Sequence, residues 1–215
     1  MDFACILRTG RAAKELTQEQ LADLSGVSAV TISRLEAGND QPSARTQARI
    51  LRAFEKQGIR FNEHGFEMTD TPVFFVEGDT HEKAYLQLLE DAHEHLRTVK
   101  NPELLIMYAD DRVSPPSVND MYRAMRAEGI RMRQMIEQGN THILGPLDEY
   151  RYVPKGYFIN RVKLIYGERI ATETSSVLRG IVRVDPINAE IERNSFNMLW
   201  SVLDQPTETT ADERF

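Results

Sequence analysis

The segment that begins at Thr17 and ends at Gly38 most constrains the fold, because it contains two sets of helix start and stop signals. Thr17, with a glutamine three residues later, is typical of a capping box, and Ser28 is a second candidate N-cap. Gly26 and Gly38 can adopt the left-handed conformation in which helices commonly end. The segment therefore predicts two short helices joined by a tight turn.

Small and apolar side chains recur in this segment at positions that hold two helices at a fixed crossing. They are Leu21, Ala22, Val27, Ile32 and Leu35. The other side chains at the start of the second helix are predicted to face outward, and they are Ser28, Ala29, Val30, Thr31, Ser33 and Arg34. We therefore expect an exposed helical face on a rigid two-helix frame.

Helical patterns flank this segment on both sides. One runs from about Phe3 to Lys14, and another follows Pro42 and Ser43 and ends near Gly58. Four to five short helices in so little sequence predict an all-α N-terminal domain over residues 1–62.

The order of these residues closely resembles the phage-repressor-like (XRE) family of helix-turn-helix DNA-binding domains, over about residues 3–61. In that family the second helix of the motif enters the major groove. The resemblance implies that Gln18 braces a phosphate and the start of this helix, and that Asn39 contacts the DNA backbone. It also implies that Ala29, Val30 and Arg34 face base edges.

The residue types refine this expectation. Apolar Ala29 and Val30 favour contact with thymine methyl groups, and Arg34 favours a guanine. Arg45 and Arg49 on the next helix are candidates to neutralise phosphates. The complete predicted DNA-binding set is Gln18, Ser28, Ala29, Val30, Thr31, Ser33, Arg34, Asn39, Arg45 and Arg49. The alternative is a head that mediates only protein contacts, with Arg34 paired to an acidic neighbour.

The charge of the whole chain, −7, argues against nucleic acid, but it is unevenly distributed. Residues 1–60 contain nine Lys and Arg against seven Asp and Glu, whereas the remainder contains 17 against 26. A mildly basic head on an acidic body is typical of a small DNA reader joined to a domain that does not touch DNA.

Beyond the head the composition changes to Gly, Asn, Asp and Pro, which predicts a linker over residues 63–79 with a short hairpin near Phe66 and Met68. Helical and extended patterns then alternate over residues 80–204 and predict an α/β domain. Ser117 is expected to cap one of its helices. A last helix from about Pro186 is expected to bury one apolar side, which consists of Ile187, Ile191, Met198 and Val202. Residues 205–215 are expected to form a flexible tail.

The order of elements in this second part resembles the phospholipase D-like fold, in which a sheet is flanked by helices. Active members of that superfamily carry His-x-Lys followed by four residues and then Asp. The matching positions here are Arg161, Lys163 and Glu168. Because the histidine is the nucleophile of that chemistry and a guanidinium cannot replace it, this departure predicts that the chain is not an enzyme.

An anion-binding or effector pocket is the remaining chemical interpretation of these positions. Its predicted residues are Arg131, Arg133, Arg161, Lys163 and Glu168, and the alternative is that these side chains lie on solvated strand faces. The three histidines His81, His93 and His95 do not have the spacing of a metal site. No motif implies a cofactor, and no apolar run approaches the roughly 18 residues that span a bilayer.

The sequence therefore predicts a cytoplasmic, nucleoid-associated regulator, most simply a repressor, that binds double-stranded DNA as a homodimer on an inverted repeat. Its single cysteine, Cys5, excludes an internal disulfide. The C-terminal domain is expected to dimerise or to sense a small-molecule or protein effector. Two alternatives stay open, an antitoxin-like module that holds another protein and a phosphodiesterase directed to DNA by its head.

Overall fold

The computed structural model describes residues 2–62 and 65–212, which form two compact units that divide between Phe74 and Phe75. This division falls inside the linker expected over residues 63–79, and the bounds of the sequence-based domains stay a prediction. Among the described residues, no helix is both long and apolar enough to span a bilayer.

Four helices make up most of the N-terminal unit: α1 Phe3–Ala13, α2 Gln18–Ser25, α3 Ala29–Glu36 and α4 Ala44–Lys56. The capping box is present, since Thr17 Oγ accepts from the Gln20 backbone N–H at 3.1 Å and Gln20 Oε1 accepts from the Thr17 N–H at 2.8 Å. Ser28 caps α3 by accepting from the Thr31 N–H at 3.2 Å. The predicted helices and their start signals are confirmed.

Leucine, isoleucine and phenylalanine side chains from all four helices form one core, which includes Leu7, Leu21, Ile32, Leu35, Ile50 and Phe54. Gly10 of α1 lies directly against the Phe54 ring, and a Cβ added there would come within 2.6 Å of it. The predicted hairpin follows as β1 Ile59–Asn62 and β2 Gly65–Met68, paired antiparallel.

A seven-stranded mixed sheet forms the centre of the C-terminal unit, in the order β3-β9-β8-β7-β4-β5-β6. Its strands are β3 Val73–Glu77, β4 Glu103–Met107, β5 Arg131–Glu137, β6 Tyr150–Val153, β7 Lys163–Tyr166, β8 Arg169–Glu173 and β9 Arg179–Val184. Strands β4, β5 and β6 are parallel, whereas β4, β7, β8 and β9 pair antiparallel. The helices are α5 His81–Leu96, α6 Pro116–Ala127 and α7 Pro186–Val202. The predicted fold class, an all-α head followed by an α/β sheet flanked by helices, is confirmed.

The last helix, α7, packs on the sheet through its aromatic side. Phe196 is completely buried in a cluster with Leu105, Met135 and Ile165, and Trp200 packs against the same cluster. The prediction that Ile187, Ile191, Met198 and Val202 face inward is wrong, because these four are 74%, 55%, 65% and 73% exposed. Helix α7 has two apolar sides, and the side with the two large aromatic rings is the one that packs on the sheet.

Two further expectations need correction. Ser117 does not cap α6, because Pro116 starts the helix one residue earlier and the Ser117 hydroxyl donates to the Glu82 carboxylate. The segment after α7 was expected to be a tail without packing partners. Instead the Thr210 N–H donates to the Thr141 carbonyl at 2.8 Å, and the Thr209 hydroxyl donates to the Ile143 carbonyl at 2.8 Å. Backbone groups exposed by a loop thus give this polar segment partners that its composition does not reveal.

The orientation of α7 gives a testable prediction. Phe196→Ala should lower the free energy of unfolding by about 3–5 kcal/mol, because it removes a fully buried ring from the cluster. Asn197→Ala, at the next and exposed position, should change it by less than about 0.5 kcal/mol. Urea unfolding of both variants checks this, and equal losses would mean that α7 does not pack through Phe196.

Candidate nucleic-acid interface

The outward face of α3 is open to solvent along the length of the helix. Ser28, Val30, Ser33 and Arg34 are exposed, and Val30 shows 64% of its surface. An exposed valine on a helix of eight residues provides an apolar contact surface beside the cationic Arg34. This face can therefore offer both a methyl contact and a bidentate donor to a partner.

The other predicted residues of α3 are partly engaged in holding the helix. Ala29 is half-buried and packs against the helical core. Thr31 is also half-buried, and its hydroxyl lies 2.8 Å from the Ser28 hydroxyl. The start of α3 is thus fixed by two neighbouring side chains that belong to the predicted contact set.

The buried carboxylate of Glu36, at the end of α3, connects three helices. Arg11 of α1 donates to it through two nitrogens, at 2.5 Å and 2.9 Å. Gln18, the first residue of α2, donates to it through Nε2 at 2.7 Å. Arg8 donates to the Glu36 backbone carbonyl at 2.6 Å. The crossing of α2 and α3, which sets the direction of the exposed face, is therefore held by a polar network as well as by apolar packing.

The network keeps Glu36 ionised. Burial alone would raise the pKa of Glu36, but the hydrogen bonds from Arg11 and Gln18 and the charges of Arg11 and Arg8 lower it below the ordinary value of 4.5. Arg11 is in turn held charged, since its bond to Glu36 raises the pKa of its guanidinium. Glu36 is only 7% exposed and Arg11 is 22% exposed, so removing Arg11 would leave a buried carboxylate without its main partner.

The remaining predicted residues of the head lie around the motif. Arg49 of α4 donates through Nε to the Ser25 carbonyl at 3.0 Å and through Nη2 to the Gly26 carbonyl, so it caps the end of α2. Arg45 is exposed on the first turn of α4. Asn39 is exposed in the turn after α3, where its N–H donates to the Arg34 carbonyl at 3.1 Å. Arg49 therefore has a structural role that sequence reasoning did not assign.

In the C-terminal unit, the residues predicted to form an anion pocket are not brought together. Arg133 donates to Glu103 at 3.0 Å and 3.1 Å, and its guanidinium lies 5.3 Å from the centre of the Trp200 ring. Arg131 is exposed and also lies near Glu103, at 3.9 Å. Lys163 pairs instead with Glu192 of α7 at 3.1 Å.

The last two members of the predicted pocket are exposed. Arg161 donates to the neighbouring Asn160 carbonyl at 2.8 Å, and Glu168 contributes its backbone carbonyl to the Asp185 N–H. Because β4 separates Lys163 on β7 from Arg133 on β5, these two cations pair with different carboxylates, Glu192 and Glu103. The described residues also contain no group of His, Cys, Asp and Glu that could hold a metal ion.

Sequence reasoning missed Arg8, Arg11 and Glu36, which control how the motif is held. A signal was present, because Glu36 follows the apolar Ile32 by four residues and therefore lies on the inner side of the helix. A carboxylate on an inner side requires a buried cationic partner, and Arg8 and Arg11 are the closely spaced basic residues of α1.

Comparison with known families agrees with the geometry of the head. Residues 2–58 match the family described as helix-turn-helix domain. The N-terminal unit carries a helix-turn-helix domain. This supports DNA binding by the face that α3 presents. Among curated proteins, no relative matches the chain.

Solved structures similar to this chain include three proteins at low identity. The phospholipase D family member Nuc from Salmonella typhimurium is 13% identical, with a TM-score of 0.46, and the match covers 64% of this chain and 99% of that one. NucT from Helicobacter pylori is 7% identical, with a TM-score of 0.45, over 64% and 100% of the two chains. TrmBL2, an archaeal chromatin protein, is 14% identical, with a TM-score of 0.41, over 89% and 88%.

The similarity to Nuc and NucT overturns the prediction that the chain is not an enzyme, which was drawn from the histidine missing at Arg161. At these identities the likeness concerns the fold, and it assigns no substrate to this chain.

The Glu36 network gives a second prediction. Arg11→Met should lower the free energy of unfolding by about 3–5 kcal/mol at neutral pH, because it leaves Glu36 charged and buried without its main partner. Lys14→Met, which removes the same charge from the end of α1, should change it by less than about 0.5 kcal/mol.

The same variant has an expected pH dependence. Since folding lowers the pKa of Glu36, ionised Glu36 contributes its full stability above 4.5 and loses it as the pH falls through the lower folded value. The difference between the wild type and Arg11→Met should therefore shrink below pH 4.5. Urea unfolding over this range measures it, and a constant difference would show that Glu36 does not carry the effect.

Proposed function

We propose that this chain is a sequence-specific transcriptional regulator of the phage-repressor-like (XRE) kind, which represses by binding an inverted-repeat operator as a homodimer. The observation that carries this proposal is the exposed face of α3, held in a fixed direction by the buried Glu36. A helix presented in this way can enter the major groove of double-stranded DNA with its N-terminal residues first.

The proposed contacts follow from what each side chain of the face offers. Arg34 presents a planar set of donors that matches the acceptor pair of a guanine, whereas Val30 fits a thymine methyl group. Ser28 and Ser33 are exposed hydroxyls within reach of base edges or phosphates. Arg45 is an exposed cation for the phosphate backbone.

Gln18, Asn39 and Arg49 complete the proposed set. Gln18 is oriented by its bond to Glu36, so its amide can both brace α3 and contact a phosphate. Arg49 lies at the end of α2, where it caps two carbonyls and adds positive charge beside the motif. Phosphate contacts of this kind set the position of the head on the duplex and carry no sequence information by themselves.

Two copies are required because one short helix reads only a few base pairs. A dimer reads two half-sites whose centres lie roughly 34–36 Å apart, one turn of the duplex. The acidic C-terminal part, with 26 Asp and Glu against 17 Lys and Arg beyond residue 60, is repelled by phosphates and suits assembly of the dimer or control by an effector. An effector that prefers one spacing of the heads would change operator affinity.

A third prediction tests the exposed face of α3, which we call the reading face. Arg34→Ala should weaken binding to the operator by about 1–3 kcal/mol and should relax the preference for one base at its position. Binding should be measured by titrating the full chain onto DNA from upstream of its own coding sequence, at two salt concentrations, beside random DNA of equal length.

The matched control is Arg97→Ala, which removes an exposed arginine from the C-terminal unit and should leave operator affinity unchanged. Arg45→Ala should weaken binding to operator and random DNA alike and reduce the salt dependence. If the wild type does not prefer the operator over random DNA, or if Arg34→Ala and Arg97→Ala behave alike, the proposed reading face is refuted.

A further inference from the structure

Helix α7 presents an apolar surface to solvent that no described part of the chain covers. Its members are Ile187, Ile191, Met198 and Val202, with exposed fractions between 55% and 74%, and we call them the α7 stripe. Single exposed apolar residues are ordinary on protein surfaces. Four of them lie along one side of a 17-residue helix, over roughly 22 Å from Ile187 to Val202.

The spacing of the α7 stripe is the same when it is read from either end of the helix. Ile187 and Ile191 are four residues apart, Ile191 and Met198 are seven apart, and Met198 and Val202 are four apart. The midpoint falls between Asn194 and Ser195, which are exposed, uncharged and of modest size. A pattern of this kind is complementary to itself when a second copy is turned around, as a two-fold interface requires.

We propose that the α7 stripe is a dimer interface, in which α7 of one copy packs antiparallel against α7 of a second copy of this chain. The two-fold axis passes beside Asn194 and Ser195. Ile187 then packs against the partner's Val202, and Ile191 packs against the partner's Met198. This inference rests on the homodimer of the proposed function and assigns it a surface.

Charge favours the antiparallel arrangement over the parallel one. The first half of α7 carries Glu190, Glu192 and Arg193, whereas residues 196–203 carry no charge. Of these three, Glu190 is the largely exposed one, at 61%, and an antiparallel pair places it opposite the uncharged half of the other helix. A parallel pair would bring the two Glu190 carboxylates toward each other and would align the two helix dipoles.

The charged side chains of α7 also leave the stripe clear. Glu192 turns toward the sheet to pair with Lys163 at 3.1 Å, and Arg193 donates to the Gly167 carbonyl at 2.7 Å. Glu190 accepts from Arg193 at 3.2 Å. The charged groups of the helix are therefore satisfied within the chain, and the stripe itself contains only apolar side chains.

The α7 stripe supplies the apolar centre of an interface and only part of its area. Burying side chains of this size removes on the order of 100 Å² each, so the exposed parts of the four amount to roughly 300 Å² per copy. A standard interface buries roughly 800 Å² per partner, so residues around the stripe contribute the remainder. Apolar patches beyond a few hundred Å² mark interaction sites.

The first test compares a variant in the stripe with a matched control. Ile191→Glu combined with Met198→Glu should weaken self-association of the full chain at least about a hundredfold, because it buries charge at the interface centre. Val113→Glu, at a position with 65% exposure in the same unit, should leave it unchanged. Sedimentation over a concentration series measures association, and circular dichroism verifies that both variants fold.

A monomeric wild type would overturn the proposal, and so would a folded double variant that stays dimeric. If the double variant does not fold, a pair of cysteine substitutions tests the interface instead. In a Cys5→Ser chain, Ile187→Cys with Val202→Cys should form a disulfide between copies on oxidation. The two positions lie roughly 22 Å apart on one helix, so they cannot join within a copy. Crosslinking by Ile187→Cys alone would indicate parallel helices and overturn the proposal.

Failure of this inference can be distinguished from failure of the proposed function. If the interface is correct and the chain is a repressor, the double glutamate variant binds a full operator no better than a single half-site. A wild type that dimerises through the stripe but shows no operator preference refutes the function and keeps the interface. Operator binding by a dimer that the double variant does not disrupt refutes the interface and keeps the function.

Discussion

The ionised carboxylate of Glu36 is the interaction on which the N-terminal domain depends. It receives two bonds from Arg11 of α1 and one from Gln18 of α2, while its own backbone belongs to α3. Apolar packing of Leu21, Ile32 and their neighbours brings the helices together but is tolerant of small rotations. Directional hydrogen bonds to one buried carboxylate do not tolerate such rotations, so they fix the direction in which α3 presents its exposed face.

The C-terminal unit uses charge in a different way. Arg133 and Lys163 of the sheet each lie beside a carboxylate, and Arg133 and Arg151 face the ring of Trp200. These contacts seat α7 on the sheet through its aromatic side. The aliphatic side of the same helix then faces outward, so the packing inside one copy creates the surface proposed to join two copies.

The two parts fit one functional scheme. In the proposed function, the head supplies a short helix that reads few base pairs, and the second unit supplies the α7 stripe. The proposed two-fold assembly would read two half-sites at a defined separation, which one head alone would not. An effector that changed this dimer would change the separation of the heads.

Local chemistry in the sequence determined the helix-turn-helix, because caps such as Thr17 and Ser28 and the turn glycine Gly26 act within a few residues of one another. Periodicity also predicted that the second unit is an α/β domain, but it did not predict β6 Tyr150–Val153. Tertiary structure alone decided that α7 turns Phe196 inward and Ile191 outward, and that Arg133 and Lys163 pair with different carboxylates. Both outcomes depend on which of several competing partners lies nearest in space, and residue spacing along the chain contains no information about that.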